Sequence, residues 1–241
     1  MQNTRLGMLT PSSNTVVEPV TSEIVSAVPN VTAHFARLTV TEISLTQAAL
    51  DQFTLEPFLS AAQLLADARM HVIAWNGTSA AWKGFEQDDD LCAAITERFG
   101  IPATASMKAL NILLDATETR KFGLVTPYIG AVQRKIIENY SASGFSVVAE
   151  RHSNISENFA FSQIPPADIA AMVRAVAAEK PPAIMIVCTN LNSARLVEEL
   201  EQELGIPIYD STTAVVWQSL RLAGIDTRSV SGWGRLMASE F

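Results

Sequence analysis

The chain has 241 residues, 48% of them apolar and 17% charged, with 25 acidic against 17 basic side chains and a formal charge of -8. That acidic balance, with no basic cluster, argues against a nucleic-acid partner, and no apolar run approaches the roughly 20 residues of a membrane span. Two cysteines and three scattered histidines give neither a disulfide framework nor metal-ligand spacing, so no metal is expected and a reducing cytoplasm is the natural compartment.

The opening MQNTRLGMLTPSSN lacks the basic segment and apolar stretch of a secretory leader. Within it, RLGMLT (5–10) is the first of five short apolar runs that read as strands buried on both faces of a parallel sheet. The others are HVIAW (71–75), KFGLVT (121–126), FSVVAE (145–150) and AIMIV (183–187). Arg37, in AHFARLTV, reads as an exposed strand position. Helical spacing fills the intervals. Phe58, Leu59, Ala62 and Leu65 share a face after Pro57, a good first-turn residue. In DLCAAITERF, Cys92 falls beside Leu91 and Ile95 and reads as core, while Asp88–Asp90 reads as a solvated helix surface. Ile169, Met172, Val173 and Val176 follow Pro165 and Pro166. Leu196, Leu200 and Leu204 line another helix, ended by Gly205 where a left-handed cap is wanted. Strand and helix in alternation mean an α/β domain.

The chain echoes itself. KFGLVTPY (121–128) repeats RLGMLTPS (5–12) at an offset of 116, and LGIPIYDSTTAV (204–215) repeats FGIPATASMKAL (99–110) at 105. Between them VIAWNGTS (72–79) matches IMIVCTN (184–190), which puts Gly77 opposite Cys188 at an offset of 111. Two similar α/β halves related by a pseudo-two-fold are expected, each with a mainly parallel sheet flanked by helices and with the active site in the cleft between them. The first half spans 1–115 and the second 116–215; residues 216–241, without a counterpart at the chain start, are expected to pack back on the first half.

Ligands of open α/β sheets sit beyond the carboxyl ends of the strands, so the segments to search are Pro11–Asn14, Gly77–Ser79, Thr126–Tyr128 and Cys188–Asn190. Cys188 reads as the place where a strand gives way to a helix, and the amides of Thr189 and Asn190 would then hold an oxyanion and favour a thiolate. Buried filler is the competing role for a free cysteine. Gly77 permits close approach of a ligand to the backbone, and the hydroxyls of Thr78 and Ser79 either bind a carboxylate or cap the next helix. In TPSSN, Ser12 or Ser13 is the expected cap and Asn14 offers a side-chain amide. Tyr128 is a cleft donor or an ordinary ring at a helix start.

Together, LGMLTPSSNTVVEP, NGTSAAWKG, LVTPYIGAVQ, IVCTNLNSA and WQSLRLAGI…GWGRL resemble the aspartate/glutamate/hydantoin racemase superfamily, and within it the branch of maleate cis–trans isomerases and arylmalonate decarboxylases. The resemblance implies an enzyme with one cysteine per half facing the reacting carbon. Here the second-half position is Cys188, but the first-half position is Gly77, as in the decarboxylases. It implies a cofactor-free decarboxylation of a small 2-substituted malonate. One carboxylate would be held by Thr78, Ser79, Tyr128 and the amides of Thr189 and Asn190, and its twin would leave from a pocket lined by Pro11, Val40 and Ile43. Cys188 would protonate the resulting enediolate as a neutral thiol, which pulls against the thiolate-favouring helix terminus argued above. PSSN and CTN lean to the isomerases, where Asn14 and Asn190 would bind a second carboxylate, and Asn158 falls where an apolar wall is expected.

The expected partner is therefore a small carboxylate, with no cofactor and no membrane, for a monomer or small homo-oligomer. A maleate-type isomerase, a racemase-like enzyme on a small carboxylate and a non-catalytic carboxylate binder are the alternatives. On this reading Gly77→Cys by itself installs a second acid–base group facing Cys188.

Overall fold

In the computed structural model, which describes residues 3–239, eight strands form two four-stranded sheets. The first holds β1 (Thr4–Pro11), β2 (Val31–Leu38), β3 (Val72–Trp75) and β4 (Ala103–Ala105), in the order β2-β1-β3-β4. The second holds β5 (Lys121–Tyr128), β6 (Ser146–Ile155), β7 (Ile184–Ile186) and β8 (Ile208–Asp210), in the order β6-β5-β7-β8. All pairings within the sheets are parallel.

Burial follows position in the sheet. The central strands β3 and β7 are buried along their whole length, as helices cover both faces. The outer strands are more open: β2 mixes buried, partly buried and exposed residues, and β6, expected from FSVVAE to be buried, has only partly buried and exposed ones, while Arg37 on β2 is the exposed strand residue expected. It donates to the carbonyls of Ser12 and Asn14 and pairs with Glu18, tying down the loop after β1.

The internal echo is a structural repeat. Trp75 at the end of β3 pairs with Leu9 and Ala105, while Ile186 at the end of β7 pairs with Val125 and Asp210. Position for position, these are the residues that the sequence repeat equates. The two halves therefore end their central strands at the same level, with Gly77 and Cys188 two residues beyond.

Helix boundaries follow local chemistry. Helix Pro166–Ala177 begins on proline, and helix Val197–Leu204 ends at Gly205 with φ of 70°. Asp210 caps helix Ser211–Leu222 by accepting from the amides of Thr212 and Thr213. That last helix lies on helices Ser106–Ala116 and Val17–Ser26 of the first half, and it begins before residue 216. The tail after it does not follow. Arg235 donates its amide to Glu201 at 2.7 Å, and a Cβ on Gly234 would stand 2.5 Å from Val197, so this segment closes over the second half instead.

Asp88 corrects a second expectation. Asp89 and Asp90 are exposed, but Asp88 is buried, and it accepts the Lys108 amide at the start of helix Ser106–Ala116. Loss of water pushes its carboxyl up to about 7, against the backbone donors that favour the ionised form. A carboxyl raised in the folded state contributes stability that is complete below its unfolded value near 4 and lost as pH rises through about 7. Each pH unit of that window removes up to about 1.4 kcal/mol. Asp88→Asn keeps an acceptor for the cap and removes the titration. Urea unfolding should show Asn gaining on the wild type between acid and mildly alkaline pH; a constant difference contradicts the buried carboxyl.

Candidate active site

The carboxyl ends of β1 and β5 and the segments after β3 and β7 converge on a small cavity of about 20 Å³ between the halves. It is lined by the expected Gly77, Thr78, Ser79, Tyr128, Cys188 and Thr189, with Pro11, Val40 and Ile43 on its apolar side. A volume of that size holds about one water, so a diacid enters only if the walls move apart. Four residues complete the lining that were not among the expected contacts: Phe53, Trp75 and Trp82, with Asn158 as the polar exception already noted.

Cys188 is 2% exposed and sits at the junction of the halves. Burial pushes its thiol up to about 12, although the amide of Asn190 and the hydroxyl of Tyr128 hydrogen-bond the sulfur and oppose the shift. The expected helix terminus is absent here. After β7 the chain runs through turns, and the next α-helix starts only at Val197, behind a short 3-10 turn at Ala194–Leu196. Without an adjoining helix end there is no macrodipole to favour a thiolate, and desolvation wins. The Asn190 amide, expected to face an oxyanion, instead donates to the Cys188 sulfur at 3.4 Å.

Beside the sulfur, Thr78 Oγ1 and Tyr128 OH lie 2.6 Å apart, a hydroxyl pair drawn from the two halves. Thr189 donates through Oγ1 to the carbonyl of Asn76 at 2.9 Å. Ser79 begins the short helix Ala80–Lys83 without capping it through its side chain. Trp82 adds a buried indole N–H that has no protein acceptor. The site thus offers hydroxyl and N–H donors and no cationic side chain on its lining.

Asn14 and Asn190 are placed differently from the expectation that they bind substrate. Neither lines the cavity. Asn14 Oδ1 accepts the amides of Val16 and Val17, capping helix Val17–Ser26, and its Nδ2 donates to Thr189 Oγ1. The cap is therefore Asn14, whereas Ser12 and Ser13 bond the backbone of Val40. Asn190 Oδ1 accepts the amide of Thr15, and its Nδ2 donates to the carbonyl of Asn158 at 2.6 Å. Asn158 in turn donates to Ser13 at 2.7 Å. These amides form a hydrogen-bonded seam that fixes one half on the other. Cys92 lies outside the site, buried among Leu91 and Ile95 as expected of core.

The profile of the arylmalonate decarboxylase family matches residues 6–237. The chain is 26% identical to the maleate isomerase of Nocardia farcinica over 98% of this chain and 96% of that one. It is 29% identical to the arylmalonate decarboxylase of Bordetella bronchiseptica over 68% of this chain and 70% of that one. Among solved structures, a cysteine-to-serine variant of Nocardia farcinica maleate cis-trans isomerase with a covalently bound succinylcysteine intermediate superposes with a TM-score of 0.89. That pair shares 25% identity, and the match covers 99% of each chain.

The seam yields a stability test. Asn14→Ala removes a helix cap and a link to Thr189, and such losses run to about 1–2 kcal/mol, or roughly 3–6 °C in Tm for a chain of this size. Asn14→Asp keeps the cap and should recover more than half of that loss. An alanine variant that melts with the wild type contradicts the role given to Asn14.

Proposed function

The chain belongs to the arylmalonate decarboxylase family, and from that premise we propose that it decarboxylates a small 2-substituted malonate without a cofactor. The observation that carries this reading is a lining with one thiol, Cys188, which burial pushes toward its neutral form, and a glycine, Gly77, at the equivalent position of the other half.

One carboxylate of the substrate binds at the Thr78–Tyr128 hydroxyl pair, with Ser79 and the amide of Thr189 beside it. Its twin lies against Pro11, Val40 and Ile43. An apolar wall disfavours a carboxylate relative to neutral CO2, so the second group is the one that leaves. The carbon–carbon bond breaks, and its electron pair moves into the remaining carboxylate as an enediolate. Donors fixed before the reaction stabilise that charge, and the loss of one such donor typically costs about 100-fold to 1,000-fold in kcat. The Cys188 S–H proton then passes to the α-carbon. The thiolate left behind meets the Asn190 amide and Tyr128, both already hydrogen-bonded to the sulfur, and regains its proton from solvent as product leaves.

Maleate isomerisation is the second reading, favoured by the similarity to an isomerase along 98% of the chain. There the Cys188 sulfur adds to a double bond, which calls for a nucleophilic thiolate. Desolvation opposes that state here.

A panel of substituted malonates and maleate in D2O, followed by NMR, separates the two. The wild type should release CO2 from a malonate and give a monoacid with one α-deuterium, while maleate is returned unchanged. Cys188→Ala should lower turnover by about 100-fold or more, and Cys92→Ala should leave it unaltered. Fumarate from maleate with every malonate untouched supports the isomerase instead.

A further inference from the structure

The two pseudo-equivalent positions at the cavity differ in what stands beside them. In the second half the residue two before Cys188 is Ile186, buried within β7. In the first half the residue two before Gly77 is Trp75, 1% exposed, and its indole reaches forward over the glycine. A Cβ built on Gly77 would stand 2.1 Å from Cζ2 and 2.3 Å from Cε2 of that ring. Phe58 packs edge-on against Trp75 with ring centroids 4.7 Å apart. Beyond the indole lies an open pocket of about 300 Å³, lined by Phe53, Phe58, Trp75, Ser79 and Leu91 among others. Trp75 is thus a wall common to that pocket and the small cavity at Cys188.

We propose that Trp75 occupies the place of a second acid–base side chain, so that its indole covers the Gly77 face of the reacting carbon and confines proton delivery to the Cys188 face. This rests on the decarboxylase reading. Trp75 is a positioning residue in this scheme: it gives and takes no proton, but it keeps water and any side chain at residue 77 off one face. The earlier expectation for Gly77→Cys changes accordingly. The added thiol collides with the ring, and the facing pair forms only when the ring is also removed.

Four variants test this: Gly77→Cys, Trp75→Ala, Trp75→Phe, and Trp75→Ala combined with Gly77→Cys. Gly77→Cys alone should lower Tm by roughly 5 °C, whereas the same change on Trp75→Ala should cost far less. Wild-type product in D2O should be one enantiomer. Trp75→Ala should keep decarboxylating while its enantiomeric excess falls, and Trp75→Phe should retain most of the excess. The combined variant should exchange the α-proton of the monoacid product for deuterium and racemise it, and Gly77→Cys alone should not. Equal Tm losses for Gly77→Cys in both backgrounds overturn the inference whatever reaction the protein runs. Unchanged enantiomeric excess in an active Trp75→Ala variant overturns it as well. A wild type inert toward every malonate rejects the decarboxylase reading, and the Tm comparison then decides the Trp75 contact by itself.

Discussion

A sulfur that cannot keep a charge is the constraint on which this site is built. Cys188 lies at the meeting point of two parallel sheets, cut off from water by both halves. Moving a charged group into such surroundings is costly, and a titratable group answers by staying neutral. Donors to the sulfur, the amides of Asn190 and Leu191 and the Tyr128 hydroxyl, soften the penalty without reversing it. They matter at a different moment, when the proton has left and the thiolate needs partners. A thiol that is neutral at rest and supported once charged has the properties of a general acid.

The rest of the architecture maintains that seclusion. The asparagine seam ties the loop after β1 to the turn after β7, and the Thr78–Tyr128 pair ties the segment after β3 to the end of β5. Because the links cross between halves, they fix the distance between walls as well as the local turns. The repeat supplies the frame, and its departures make the two sides of the cavity different. Glycine with an overhanging indole stands on one side, and cysteine beside an isoleucine stands on the other. A duplicated fold in which both halves carried the same group would hold a symmetric pair of acids and bases. This one is asymmetric across its cavity.

Much of this was legible in the sequence, for identifiable reasons. Short apolar runs such as RLGMLT and KFGLVT announce buried parallel strands, and the repeat places Gly77 and Cys188 at equivalent strand ends. Strands β4 and β8 have only three residues each, too short for periodicity to show, so they surface in the sequence only through the echo of FGIPATASMKAL in LGIPIYDSTTAV. The helix presumed to follow Cys188 was misplaced because TNLNSA gives no signal that separates turns from a first helical turn. The bonds of Asn14 and Asn190 between the halves are not legible in the sequence, since a polar side chain beside a cleft looks the same whether it faces substrate or the other half. The aromatic lining was invisible for a related reason: Trp75 reads as a strand residue, and nothing local shows its ring folding over residue 77. Asp88 was hidden by the company of two solvated neighbours.

The central claim concerns the protonation state of one sulfur, and it can be measured without any substrate. Thiolate absorbance in the ultraviolet, followed against pH for the wild type and for Cys188→Ser, isolates the titration of that group by difference. Burial to about 12 predicts no Cys188 thiolate signal through neutral and mildly alkaline pH, where an unperturbed thiol near 8.5 would be half ionised. A difference titration centred at or below that ordinary value would contradict the account.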